Sequence, residues 1–296
     1  MCFDIVATRL PDPCGLPDSR GPSVIGRTAR LELVFEARGG TTIVTHAYAE
    51  APFRIGRTLD IDGAAYVILV CSGPGIFAGD DLQLSIRVGP GARVVLTSQS
   101  ALQVHPSIAP LPAVIRHHYL VEDGGELHAH WDPVIPFAGA RLDQRFDLQI
   151  GEESRVYWSD ALMSGRVSRA EAWRFESVAH ELRLRVGAKV KYLERYVLTP
   201  DERSIAHPWV AGGAHYTATA LTHHERATAD TAESLQREIA AAAGENVRLG
   251  VDLVDSRLLV ARLLSSCGAP FAAARASYQQ LVLASIFGRP HQLLRK

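Results

Sequence analysis

The feature that most restricts how this chain can fold is a unit of strand, glycine turn and strand that recurs between residues 82 and 192. It appears as Ile86–Leu96 around Gly89-Pro90-Gly91, and as Leu120–His130 around Gly124-Gly125. Leu148–Tyr157 around Gly151 and Leu184–Tyr192 around Gly187 repeat the form. Within the first unit, Leu82, Leu84, Ile86 and Val88 alternate with Gln83, Ser85 and Arg87. Period-two alternation buries one face of a strand and wets the other. The units recur at roughly 30 residues, a spacing typical of stacked architectures but here too irregular for a strict repeat. The expectation is a mainly β fold, a β-rich stack of successive hairpins.

Shorter runs, Ala29–Ala37, Thr41–His46, Tyr66–Cys71 and Ala92–Thr97, extend the strand reading over residues 29 to 198. The first 25 residues hold Pro11, Pro13, Gly15, Pro17, Gly21 and Pro22, which predicts a loose arm over residues 1–28. The last hundred residues change character. Asp230-Thr231-Ala232-Glu233 opens a helix that stops at Gly244. Arg257–Leu264 reads as a strand, and Pro270 opens a second helix that ends near Gly288. No long linker interrupts residues 29–296, so they are expected to form one domain with about two C-terminal helices.

Composition narrows the function. Lys and Arg total 31 against 32 Asp and Glu, which removes the basic excess that a nucleic-acid partner demands. No apolar run approaches the roughly 20 residues of a membrane-spanning helix. The start, Met1-Cys2-Phe3-Asp4, does not read as a signal peptide, and Cys2, Cys14, Cys71 and Cys267 are scattered with no CxxC pair. Together these predict a cytoplasmic protein.

Candidate chemistry is sparse. His128 and His130 lie two residues apart on a strand, which turns both rings to one face and lets them share a metal. With a distant carboxylate they would make a β-rich metal-dependent hydrolase, the alternative reading. His117-His118 and His223-His224 are adjacent and would point to opposite faces. Asp80-Asp81 follow a glycine-rich turn, where carboxylates commonly accept local amide hydrogen bonds. Asp160, Arg166, Arg169, Glu171 and Arg174 crowd one segment, in which Arg166 can meet Asp160 or Glu171. A P-loop and a GxSxG nucleophile elbow are both missing. The residues alone therefore favour binding or scaffolding over catalysis.

Several segments, in order, resemble the UreD (UreH) family of urease accessory proteins. Ser72-Gly73-Pro74-Gly75-Ile76-Phe77-Ala78-Gly79-Asp80-Asp81-Leu82 is similar to its glycine-rich GD segment, and Leu96-Thr97-Ser98-Gln99 to its TTQ motif. Asp132-Pro133-Val134-Ile135-Pro136-Phe137-Ala138-Gly139-Ala140-Arg141 resembles its PVIPFxGAR segment. Gly165-Arg166-Val167-Ser168-Arg169-Ala170-Glu171 resembles GRxxxGE, with Ala170 where the family has glycine. The resemblance implies a non-enzymatic scaffold that binds apo-urease and a helical, UreF-like accessory protein. Through that complex it would engage a P-loop, UreG-like GTPase. It implies no permanently bound cofactor, with nickel in transit along a polar passage. The positions carried over as passage or interface groups are Gly79, Asp80, Gln99, Arg166 and Glu171.

Overall fold

The computed structural model describes residues 26–108, 110–202, 204–205, 207, 210–242 and 244–289. Nearly all of the expected N-terminal arm lies outside them. Two sheets face one another. The first has seven strands in the order Lys189–Leu198, Ser177–Val186, Arg141–Ile150, Ala113–Val121, Asp81–Val88, Thr28–Arg38, Thr41–Ala49. The second has eleven. Its main path runs Val247–Asp255, Leu258–Ser265, Tyr216–His223, Arg155–Met163, Glu126–His130, Arg93–Ser98, Ala64–Cys71, Phe53–Ile55.

Successive strands of the middle region go to opposite sheets. Asp81–Val88 belongs to the first sheet and Arg93–Ser98 to the second. Each then pairs in parallel with its counterpart one coil later, Ala113–Val121 and Glu126–His130. The glycine turns at Gly89-Pro90-Gly91, Gly124-Gly125 and Gly151 are therefore arches between sheets, which corrects the expectation of successive hairpins. Their amides explain why. Gly91 donates to the Gly124 carbonyl at 3.1 Å, Gly124 to Glu153 at 3.3 Å and Gly151 to Val121 at 2.8 Å. The turns thus bond to neighbouring coils as well as closing on themselves, and the result is solenoid-like. Of the four repeated units, the one around Gly187 is a hairpin. It adds Lys189–Leu198 antiparallel as the edge of the first sheet.

Two helices, α1 (Ala229–Ala242) and α2 (Gly268–Ser285), match the two expected near the C-terminus. Leu235 and Ile239 of α1 pack with Tyr278 and Val282 of α2 over the outer face of the second sheet.

Stacking the coils aligns inward side chains in rows. One row of the first sheet runs Leu33, Ile86, Tyr119, Leu148, Leu184, Tyr192 and is mostly apolar. The next row runs Leu31, Leu84, His117, Phe146, Leu182, Glu194, and the one beyond it ends in Gln144, His180 and Tyr196. Polar groups thus enter the interior at the later strands. Opposite them, the second sheet contributes Asp160, Thr219 and Arg262 in one row. One apolar cluster, around Phe35, Leu127 and Trp158, lies to one side of this layer. A second, around Ile76, Leu142 and Phe175, lies to the other. A polar layer between two dry cores is costly unless its groups are bonded or hydrated, so it is where a function should be sought.

Candidate functional site: an interior passage

Two cavities occupy the polar layer. The first, about 200 Å³, is lined by Ser98, Gln99, His117, Trp131, Asp132 and Asp160 among others. The second, about 170 Å³, is lined by Asp160, Glu194, Tyr196, Thr219 and Arg262, with Ile205 on its apolar side. Asp160 and Ala161 belong to both walls. Three carboxylates, Asp132, Asp160 and Glu194, therefore line two neighbouring cavities that share a wall.

Their surroundings differ. The Asp132 carboxylate accepts a hydrogen bond from Ser98 Oγ at 3.0 Å. Glu194 is buried and clamped by the Tyr192 hydroxyl at 2.8 Å and the Arg262 guanidinium at 3.1 Å. Asp160 is buried and accepts backbone hydrogen bonds, from Thr219 and from its own amide. Desolvation, reinforced by the neighbouring Glu194 charge, pushes its carboxyl up to about 7. His117 stands on the wall with its Nδ1 3.0 Å from the Tyr119 hydroxyl, and burial drives it down to about 3, so its ring is neutral. Oxygen donors and one neutral imidazole, spread along a path, hold a borderline divalent cation only loosely. A closed cage would retain it.

The five carried-over positions do not converge. Gln99 lines the first cavity. Asp80 is buried in the glycine-rich turn, accepting the amides of Arg27 at 3.0 Å and Phe77 at 2.9 Å. It also lies 3.4 Å from the Arg27 guanidinium. Gly79 has φ of +82°, and its carbonyl lies where a Cβ on Gly26 would come to 2.1 Å, so both positions are confined to glycine. Arg166 meets Glu171 rather than Asp160. Its Nε and Nη2 donate to the carboxylate at 2.7 and 2.5 Å, and its guanidinium lies 3.9 Å from the Phe137 ring centroid. The Arg166 hydrogen bonds hold the Glu171 carboxyl below its ordinary value. This pair sits on the loop edge, away from both cavity walls.

Ala170 of the same loop has φ of +57°, the left-handed region that a side chain disfavours. Ala170→Gly, which restores the family's residue, is expected to raise stability by about 0.5–1 kcal/mol, measured as an increase in denaturation midpoint. An unchanged or lower midpoint would contradict strain at this residue.

His128 and His130 do share a face of strand Glu126–His130, the outer face of the second sheet. There His128 meets Phe287 edge-on at 4.5 Å and His130 lies parallel to Tyr157 at 6.5 Å. Burial lowers His128 to about 4. The nearest carboxylate, Glu126 at 3.3 Å, is already engaged by Arg289 at 3.0 Å. Among the described residues, no group of three or more His, Cys, Asp or Glu is placed to hold a metal ion. Of the other pairs, His117 faces the interior and His118 faces out beside Asp147, whereas His223 and His224 are both buried.

Sequence reasoning passed over Asp132, Glu194 and Arg262, and placed Asp160 only in a polar cluster. A signal for Asp160 exists. In strand Arg155–Met163 the inward phase reads Val156, Trp158, Asp160, Leu162, and a carboxylate on a buried phase is out of place.

Comparison with known proteins gives a consistent picture. The family profile described as UreD urease accessory protein matches residues 27–296. Urease accessory protein UreD of Sorangium cellulosum is 35% identical over 175 residues, covering 59% of this chain and 55% of that protein. Urease accessory protein UreD 2 of Streptomyces griseus is 29% identical over 290 residues, 95% of this chain and 98% of that protein. The Deinococcus radiodurans protein of the same name is 31% identical over 208 residues, 70% of this chain and 74% of its own. The aligned part thus spans about half of the Sorangium relative and nearly all of the Streptomyces one.

Proposed function

This chain belongs to the UreD family of urease accessory proteins, and from that premise we propose that it is a scaffold through which nickel reaches apo-urease. The family is named for an accessory role, which assigns it to urease maturation and not to catalysis. The observation that carries the finer reading is the pair of neighbouring cavities whose walls share Asp160. A maturation scaffold has little use for a cavity-bearing polar layer between two apolar cores unless something passes along it. Nickel is the cargo. Gln99, His117, Asp132 and Asp160 on the first cavity and Asp160 and Glu194 on the second offer it weak ligands, none of them part of a complete cage.

Delivery requires a donor at one end and urease at the other. The partners are apo-urease, a helical UreF-like accessory protein and, through that protein, a UreG-like P-loop GTPase. The place of action is the cytoplasm. Among the described residues no helix is long and apolar enough to cross a membrane. Arg166 and Glu171 are assigned to a protein interface. They form a stiff pair beside Phe137, which His105 links to the exposed ring of Phe77.

The test is co-expression of a tagged chain with urease subunits and the other accessory proteins, followed by capture and nickel analysis of the urease. Wild type is expected to capture urease and support its loading. Glu171→Ala is expected to weaken capture several-fold while leaving the nickel affinity of the isolated chain unchanged. Failure of the wild type to capture urease under any partner combination would refute the scaffold reading.

A further inference from the structure

Helix α2 contains a single charged residue, Arg275, flanked by Ala272, Ala273, Ala274 and Ala276. It is buried rather than solvated. The guanidinium Nη2 donates to the Trp131 carbonyl at 2.9 Å and to Ser159 Oγ at 3.0 Å, both neutral acceptors. Its Nε is buried and has no hydrogen-bond partner. A buried guanidinium held by hydrogen bonds to neutral oxygens is expensive, because carboxylates that act on it without touching it repay the loss of water only in part. A glutamine would supply the same kind of donor without the charge.

The position of the charge accounts for its presence. Ser159 and Asp160 are adjacent on one strand and point to opposite faces. Arg275 therefore lies directly behind the strand whose other face forms the junction of the two cavities. The carboxylates that act on it from the passage side are Asp160 and Asp132. On Asp160 the acting charges are Glu194 and Arg275, and Arg275 is the one cation among them. Arg262, the other nearby guanidinium, is committed to Glu194 and the Tyr192 hydroxyl.

We propose that Arg275 sets the residence of the cation in the passage. It is a fixed positive charge, out of the ion's reach, that keeps the Asp132–Asp160 segment from becoming a nickel trap. In a low-dielectric interior a unit charge acts strongly across a strand's thickness on a divalent ion. It opposes every cation that halts at Asp160 without offering it a ligand. Arg275 is thus an affinity-setting residue rather than a ligand, and the inference rests on the passage reading above.

The probe is Ni²⁺ alone, measured by equilibrium dialysis against the full chain as wild type, Arg275→Gln, Arg275→Met, Arg275→Lys and Asp160→Asn. Either neutral variant is expected to bind nickel at least about tenfold tighter than wild type, equivalent to about 1.4 kcal/mol. Arg275→Lys should keep wild-type affinity, and the double variant Arg275→Gln/Asp160→Asn should lose the gain. In co-expression, the neutral variants should retain nickel on the chain and slow its arrival at urease. A folded neutral variant with wild-type nickel affinity overturns the inference. So does failure of both neutral variants to fold while Arg275→Lys folds, because the charge would then serve the fold. If Asp160→Asn leaves both nickel binding and urease loading intact, the passage reading itself fails. If Asp160→Asn weakens nickel binding and Arg275→Gln changes nothing, only the inference about Arg275 fails.

Discussion

Asp160→Asn is expected to make the protein more stable at about pH 8 and unable to load urease with nickel. The two effects share one cause. Burial beside Glu194 raises the Asp160 carboxyl from 3.8 to about 7 in the folded chain. The folded state therefore binds this proton more tightly than the unfolded state does. The resulting stabilisation is fully present below the ordinary carboxylate range and is lost as pH rises to about 7. Above that, the wild type carries an ionised carboxylate buried beside the Glu194 charge. Asparagine does not titrate and avoids this loss, which amounts to at most about 4 kcal/mol on the raised value. Thermal unfolding curves of the two proteins should converge in acid, separate as pH rises, and stay apart above neutrality. A midpoint for Asp160→Asn that tracks the wild type at every pH would contradict the burial argument. Normal nickel loading by this variant would remove Asp160 from the passage. A residue that destabilises the fold at working pH and is nonetheless present fits a group kept for cargo handling.

Trp158→Ala should give the largest loss of stability among single substitutions in the core. Trp158 is fully buried at the centre of the second sheet, with the Phe146 ring 5.0 Å away from the opposite sheet. Its row places Ala129 on one side and Leu221 on the other, too small to fill the space it vacates. Truncation removes the transfer energy of the indole and leaves a cavity that stacked coils cannot close. The expected loss is about 3–5 kcal/mol, a fall of roughly 6–15 °C in midpoint at this chain length. Calorimetry or circular dichroism would measure it. A fall under about 2 °C would mean that the two sheets close together more readily than their interlocked rows allow.

Much of the architecture was legible in the chain. Alternation in Leu82–Val88 foretold which side chains turn inward, because a strand's faces are a local property of period two. The start and stop signals of the C-terminal helices were equally local, and α1 and α2 fall close to where Asp230 and Pro270 announce them. Pairing was not legible. A glycine turn such as Gly124-Gly125 permits either a hairpin or an arch. The choice depends on whether its amides meet their own strand or the neighbouring coil, which no window of thirty residues contains. Strand Val247–Asp255 was missed although Val247, Leu249, Val251 and Leu253 alternate with Arg248, Gly250 and Asp252, the same local signal.

The site divides the same way. The ordered motifs around Asp80, Gln99, Phe137 and Glu171 determined the family, because each is a short turn or strand end whose residue types are demanded locally. Asp80 accepting two amides and Gly79 at positive φ are such demands. The passage is not a motif. Asp132, Asp160 and Glu194 come from three separate segments and meet only because the coils stack in register. Arg275 reaches them from a helix packed on the sheet's other face. Local sequence specifies which face a residue points to and how a turn closes. Only tertiary stacking decides which distant charges share one low-dielectric interior, where they act on each other and on whatever ion passes between them.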